Sequence, residues 1–202
     1  LAALGAGLDI SGPRGHMIVD IGGGTSDIAV LSMNEMVRQI STRVGGDAFD
    51  EAIVRYVRRA FNMVIGESTA EQAKIAVGSA MPMERKETEI RGRNLVTGLP
   101  RGLIIDSYTL REAIDEPLGV IRRAVRQVLD STPPELLGDI IDRGIVLTGG
   151  GALLDGLDRF LSNETGLPAN VVEDPVSCVA RGTEKVLDAI ASYQDHMKKI
   201  SV

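Results

Sequence analysis

The spacing of hydrophobic and polar residues changes several times along the chain. Two short apolar runs rich in β-branched residues, at 17–21 and 28–31, flank the glycine-rich stretch 22–27. Runs of this length on either side of a turn signal predict a buried β-hairpin, and a third strand is predicted over 35–44. Beyond it the apolar residues fall three and four positions apart, which predicts an amphipathic helix with Asp47 as its N-cap. The apolar stripe of that helix consists of Phe49, Ile53, Tyr56, Val57, Ala60 and Phe61.

The middle of the chain combines helical patterns with a small β segment. Ser68-Thr69-Ala70-Glu71 has the form of a capping box and predicts a helix that runs to about Val77. The highly charged run 83–93 predicts an exposed strand or loop, which pairs with 103–105 in a two-stranded element. Further helices are predicted over 108–116, over 117–130 with Pro117 at its start, and from a cap at 132–135 to just before Gly144.

The last third of the chain alternates between strand and helix patterns. Strands are predicted over 145–147 and 168–173, and a final helix over 176–192. Between the two strands, a helical pattern is formed by Leu153, Leu154, Leu157, Phe160 and Leu161. Strands first, then a helical insert, then alternation together predict an α/β fold.

Composition removes several classes of function. The chain has 202 residues, 44% hydrophobic and 25% charged, which is typical of a folded globular protein. A net charge of −6 and only 3% aromatic residues, with no Trp, argue against nucleic-acid binding. The single cysteine, Cys178, excludes an internal disulfide, fits a reducing cytosol, and is predicted to be a small core residue. With two distant histidines it cannot form a Cys/His zinc site, and no apolar run has the length of a membrane span.

The first glycine triplet lies in Asp20-Ile21-Gly22-Gly23-Gly24-Thr25. Three glycines let the backbone approach a ligand and direct N–H groups toward an anion, and Thr25 adds a hydroxyl donor. Asp20, at the end of the predicted strand, has the chemistry to hold Mg²⁺ through water. The alternative is a tight hairpin turn that needs glycine for its own geometry.

The second triplet, Gly149-Gly150-Gly151, joins a predicted strand to a predicted helix. The N-terminus of a helix is an anion or nucleotide site, although a plain strand-to-helix turn would have the same sequence. A Rossmann fold is disfavoured because the first triplet leads into a strand and the second lacks the full glycine spacing. The sequence also contains no Gly-Lys-Ser/Thr and no Gly-x-Ser-x-Gly motif, which excludes a Walker loop and disfavours a hydrolase elbow.

Glu71 and Lys74 are three residues apart, on one face of their predicted helix. Side chains in that arrangement can hydrogen-bond a ribose or the edge of a purine. The alternative is that Glu71 serves the capping box and Lys74 is a solvated surface residue.

These stretches, in this order, resemble the actin and sugar-kinase superfamily, and within it the MreB family of bacterial actins. Residues 17–31 resemble the family's second phosphate hairpin, and 43–50 resemble the entry to its upper subdomain. Further stretches similar to the family are 91–95, 98–101, 147–154 and 173–182. The likeness extends from residue 1 to about 190.

The resemblance implies an actin-like (ribonuclease H-like) ATPase domain, with a mixed sheet, flanking helices and a small α+β insert. It implies that Gly22, Gly23, Gly24 and Thr25 hold the phosphates of ATP and that Asp20 lies near Mg²⁺. The residues that it implies for adenosine binding are Glu71, Lys74, Gly149, Gly150 and Gly151.

The resemblance also implies a division of the chain. Residues 1–13 would close a first actin-like domain, 14–45 and 107–202 would form the core of the second, and 46–106 would be its insert. The family's first phosphate loop and catalytic Glu would precede Leu1, so no catalytic residue is expected here and enzyme activity is left open.

A complete protein of this kind is expected to form head-to-tail filaments in the cytoplasm, beneath the cell membrane. It would organise cell-wall elongation and rod shape, with membrane contact through the missing N-terminal half. Two alternatives stay open at this point. One is half of a chaperone-type ATPase or small-molecule phosphotransferase on the same fold, and the other is a truncated, non-catalytic interaction module.

Overall fold

The computed structural model describes residues 1–82 and 84–200, with side chains described up to residue 192. Its strands form two sheets. The strands are β1 (His16–Ile21), β2 (Ser26–Ser32), β3 (Glu35–Thr42), β4 (Met63–Val64), β5 (Glu87–Asn94), β6 (Pro100–Asp106), β7 (Ile145–Thr148) and β8 (Ala169–Val171).

The larger sheet has the order β3-β2-β1-β7-β8 and is mixed. β1 pairs antiparallel with β2, as the predicted hairpin requires, and parallel with β7. Since β1 and β7 run the same way, both glycine triplets follow strands that end at the same edge of the sheet. The predicted mixed sheet is therefore confirmed.

Helices pack against both sheets. They are α1 (Ala2–Gly5), α2 (Gly46–Phe61), α3 (Glu67–Val77), α4 (Ser107–Ala113), α5 (Asp115–Asp130), α6 (Pro134–Arg143), α7 (Leu157–Thr165) and α8 (Cys178–Ile200), together with a 3-10 helix (Gly150–Leu153). No helix in the described part of the chain is long and apolar enough to cross a membrane.

One hydrophobic core joins the sheet to the insert. Met17 and Val19 of β1 lie in the same buried cluster as Ile53 of α2, Ala73 of α3 and Ile121 of α5. A smaller cluster on the other face of the sheet packs under α1. The insert is thus packed against the sheet edge that carries the glycine triplets.

The small sheet has the order β4-β5-β6. The charged run 83–93 contains most of β5, in agreement with the predicted exposed strand, although Met83 lies outside the described residues. β4 is too short to produce a pattern and was not predicted; its two residues pair with Asn94 and Arg93.

Two predicted helix starts are wrong. α2 is capped by Gly45, so Asp47 lies within its first turn. α3 begins at Glu67 after Gly66, which places Ser68 inside the helix and removes the capping box. α6 begins at Pro134, within the predicted cap segment 132–135, although its N-cap is Pro133 and the Thr132 hydroxyl donates to the carbonyl of Val128 near the end of α5.

α1 packs against the start of α8 through glycines. A Cβ on Gly5 would collide with the carbonyl of Cys178, and one on Gly182 with the carbonyl of Leu1. Cys178 is fully buried there. The division at residues 13, 45 and 106 stays a prediction.

Candidate functional site

A cleft of about 400 Å³ opens where the glycine turn after β1 meets the insert. Its walls are the turn, the first turn of α2, the exposed side of α3 and the 3-10 helix after β7. The lining residues are Gly22, Gly23, Gly46, Asp47, Phe49, Asp50, Glu71, Lys74, Ile75, Gly78, Gly150, Gly151, Leu153, Leu154 and Asp155.

The structure brings most of the predicted site residues to this cleft. Gly22, Gly23, Glu71, Lys74, Gly150 and Gly151 line it. Gly24 and Thr25 continue the same turn and are exposed, but they are not among the lining residues. Gly149 and Asp20 do not line the cleft, and Oδ1 of Asp20 lies 2.6 Å from the Cβ position of Gly149.

Two backbone hydrogen bonds fasten the glycine turn to α2. The N–H of Gly46 donates to the carbonyl of Gly22 and that of Asp47 to the carbonyl of Gly23, both at 2.9 Å. Gly45 allows this approach, because a Cβ there would collide with the carbonyl oxygens of Gly22 and Gly23. The first helix of the insert is therefore attached directly to the turn.

The outer surface of the turn is open. A Cβ on Gly22, Gly23 or Gly24 would meet no atom closer than 3.5 Å, and none of the three has a left-handed backbone. Within the described residues, the N–H groups of Gly23, Gly24 and Thr25 donate to no backbone carbonyl. Neither packing nor backbone geometry requires glycine at these positions, and they present adjacent N–H donors beside an empty space.

The second triplet has glycine for a different reason. Gly149 has φ +84°, and a Cβ on it would collide with the carbonyl of Ile21. A Cβ on Gly151 would collide with the Ile21 side chain, whereas one on Gly150 would lie in open space. The predicted strand-to-helix junction is wrong: a 3-10 helix of four residues follows β7, and α7 begins only at Leu157. The triplet is therefore not the N-terminus of an α-helix.

The two predicted residues of α3 have different environments. Glu71 is exposed on the wall of the cleft. The Lys74 ammonium lies 2.8 Å from Oδ2 of Asp50 and 3.1 Å from the carbonyl oxygen of Gly46. Lys74 is therefore not the solvated surface lysine of the alternative interpretation, since it joins α3 to α2.

Nine of the fifteen lining residues were not predicted as site residues, and four of these bear on ligand binding. Ile75 and Leu153 are large apolar side chains with exposed fractions of 75% and 62%, and they come from α3 and from the 3-10 helix. Asp47 and Asp50 add two carboxylates from α2. A sequence signal existed for Ile75, which falls off the buried stripe of α3, but none for Asp50.

Asp20 is the second-last residue of β1 and lies directly opposite Asp27 of β2. Burial raises the pKa of the Asp20 carboxyl, and the charge of Asp27 raises it further. A cation beside Asp20 would stabilise its ionised form, and one carboxylate with retained waters suits Mg²⁺. Among the residues described, no cluster of three or more His, Cys, Asp or Glu side chains has the geometry of a metal site.

Two parallel strands that end in glycine turns at one edge of a mixed sheet, with an insert packed beside that edge, define an actin-like domain. MreB5 of Spiroplasma citri, solved with ADP and with AMPPNP, superimposes on it with a TM-score of 0.92 at 38% identity. The match covers 96% of this chain and 59% of that one.

The sequence comparisons identify the family. The MreB/Mbl protein family model matches residues 1–195, so the chain belongs to the MreB/Mbl family. It is 55% identical over 190 residues to the cell shape-determining protein MreB of Escherichia coli K12, and 51% identical over 189 residues to the cell shape-determining protein Mbl of Bacillus subtilis 168. These matches cover 94% and 93% of this chain but 55% and 57% of the relatives. The chain thus spans about half the length of the curated relatives it matches.

Proposed function

We propose that the cleft binds ATP and that its glycine turn, Gly22, Gly23, Gly24 and Thr25, holds the β- and γ-phosphates. The observation that carries this proposal is the open surface of the turn. Glycines that serve no packing or conformational need leave room for a ligand, and consecutive free N–H groups suit an anion. The ADP and AMPPNP complexes of the similar Spiroplasma citri protein support the same ligand class.

The adenosine would occupy the end of the cleft between α3 and the 3-10 helix. Ile75 of α3 and Leu153 of the 3-10 helix offer apolar surface in the cleft, which suits a flat base. Glu71 and Lys74 would supply polar contacts, and Gly150 leaves open space beside them. Gly149 and Gly151 contribute by holding this segment against Ile21.

A divalent cation fits the charges at the phosphate end. Phosphates on the turn would lie close to the Asp47 carboxylate, whose Oδ1 is 3.5 Å from the Cβ position of Gly23. Mg²⁺ would offset that repulsion, and Asp20 would hold it through water. The role of this chain is to position the phosphates and the cation, with no catalytic residue assigned to it.

We assign the whole protein to the class of cell shape-determining, filament-forming bacterial actins, in which bound ATP controls polymerisation. Its partners would be further copies of itself, arranged head to tail, and the cell-wall elongation machinery. Its place would be the cytoplasm, at the inner face of the membrane. Family membership and the names of both relatives favour this function over a chaperone-type ATPase or a phosphotransferase.

Gly24→Ala tests the phosphate site without a change in packing. A Cβ on Gly24 would come no closer than 4.0 Å to any atom, so we expect the free energy of unfolding to stay constant or rise slightly. Mg-ADP affinity should fall by about tenfold, because a methyl group displaces phosphate from the N–H donors.

The measurement is a titration of the ¹⁵N-labelled chain with Mg-ADP into the millimolar range, followed through the amide signals of the turn. Gly138→Ala in α6 is the matched control, because its Cβ would also meet open space. Unchanged ADP affinity in Gly24→Ala, or wild-type shifts confined to residues away from the cleft, would overturn the proposed function.

A further inference from the structure

A buried ion pair crosses the inner wall of the cleft. Asp50 of α2 is 7% exposed, and its Oδ2 lies 2.8 Å from the Lys74 ammonium of α3. The two side chains are 10% and 15% exposed, which makes this the most deeply buried salt bridge in the described part of the chain. Both residues line the cleft.

The pair is a costly way to join two helices. Burial raises the pKa of the Asp50 carboxyl, the hydrogen bond and charge of Lys74 lower it, and the charges of Glu71 and Asp47 raise it again. Oδ1 of Asp50 is buried and meets no donor among the described residues. Apolar side chains of similar volume often stabilise a helix contact as well as a buried ion pair does. Packing between α2 and α3 therefore does not account for the charges.

The hydrogen bonds of the Lys74 ammonium offer a reason for the charged pair. Lysine has three N–H donors, and here two of them meet Asp50 and the Gly46 carbonyl. Both acceptors belong to the first five residues of α2, and the first turn of that helix is itself bonded to the glycine turn. The position of the third donor relative to Gly22 and Gly23 is therefore fixed by hydrogen bonds and not left to a flexible side chain.

We propose that Asp50 is a positioning residue of the cleft: it holds Lys74 so that the remaining N–H meets the nucleoside, and it neutralises the ammonium so that Lys74 does not act as a phosphate ligand. This proposal rests on the proposed function, because it assumes a nucleotide in the cleft. It assigns the charge recognition of the phosphates to the glycine turn and the cation alone.

Asp50→Asn tests the proposal through the ratio of two affinities. Without the Asp50 charge, the Lys74 ammonium is mobile and positively charged. It can then reach the diphosphate of ADP, but its third N–H is no longer held at the nucleoside. The ratio of the adenosine Kd to the ADP Kd, both measured without Mg²⁺, should rise by about tenfold, since a freed charge near a partly exposed phosphate is worth about one decade. A pair that only joins two helices would weaken both ligands equally and leave that ratio unchanged.

The double variant Asp50→Asn with Lys74→Gln removes both charges and keeps an amide hydrogen bond. We expect it to fold, to bind both ligands less tightly, and to return the ratio to within about twofold of wild type because no free charge is left. If Asp50→Asn does not fold, the double variant still tests the proposal, because adenosine affinity equal to wild type would refute it.

The two proposals fail in different ways. If neither ADP nor adenosine shifts the amides of the turn in the wild-type chain, the proposed function is wrong. If both ligands bind the wild type but Asp50→Asn leaves the ratio unchanged, the positioning role of Asp50 is wrong and the nucleotide site stands.

Discussion

Alanine at Gly149 should destabilise the fold, whereas alanine at the neighbouring Gly150 should not. Gly149 has φ +84°, and a non-glycine residue in that region costs about 1–2 kcal/mol. Its Cβ would also collide with the carbonyl of Ile21, and overpacking of this kind costs about 1–3 kcal/mol. Together these terms predict a loss of about 2–5 kcal/mol in the free energy of unfolding.

Gly150→Ala is the matched control. Gly150 has no left-handed backbone and no atom within 4 Å of its Cβ position, so we expect a change within about 0.5 kcal/mol. Urea unfolding followed by far-UV circular dichroism measures both variants against the wild type, with the m-value as a check on two-state behaviour. Equal stability of the two variants would refute the close contact between the second triplet and β1.

Three further outcomes are expected. Asp106→Ala should cost about 1 kcal/mol at pH 7, because Asp106 caps α4 through the N–H and hydroxyl of Thr109. Those two hydrogen bonds lower the pKa of Asp106 in the folded protein. The stabilisation from Asp106 is therefore present above the unfolded pKa of 3.8 and is lost as the pH falls through the folded pKa. Thermal unfolding should show a smaller stability difference between wild type and Asp106→Ala at pH 3 than at pH 7. Glu71→Gln should leave the melting temperature unchanged, because α3 is capped at Gly66, and should weaken adenosine binding; a lower melting temperature with unchanged binding would contradict the site. Asp20→Ala should weaken Mg-ADP by about 2 kcal/mol and Mg-free ADP much less, and equal losses in calorimetric titrations would remove Asp20 from the cation site.

The larger sheet was predictable because its signals are local. The β-branched runs on both sides of the turn at Gly22 determine the hairpin, and each run buries enough apolar surface to make the pattern visible. The start of α3 was not predictable in the same way. The local motif predicts a cap at Ser68, but the buried residues Ala70, Ala73 and Val77 pack in the hydrophobic core, and the helix begins at Glu67 after its cap Gly66.

The candidate site was predictable in its backbone and much less in its side chains. Two identical glycine triplets gave the same signal, yet one is open to a ligand and the other is packed against Ile21. The two triplets differ because β7 pairs with β1, which brings the second triplet against Ile21 at the end of β1. The contact between Asp50 and Lys74 joins residues 24 positions apart on different helices, and no spacing rule connects them.

Because α2 is bonded to the glycine turn, a small rotation of the helix at the turn moves its far end by a larger distance. α2 has 16 residues and is therefore about 24 Å long. Its first turn bonds to Gly22 and Gly23, while the carbonyl of Phe61 at its other end accepts a hydrogen bond from Arg101 of β6. A tilt of about 5° at the turn would move the far end by about 2 Å. Small displacements at the cleft are thus enlarged at the contact between Phe61 and Arg101, at the far end of α2.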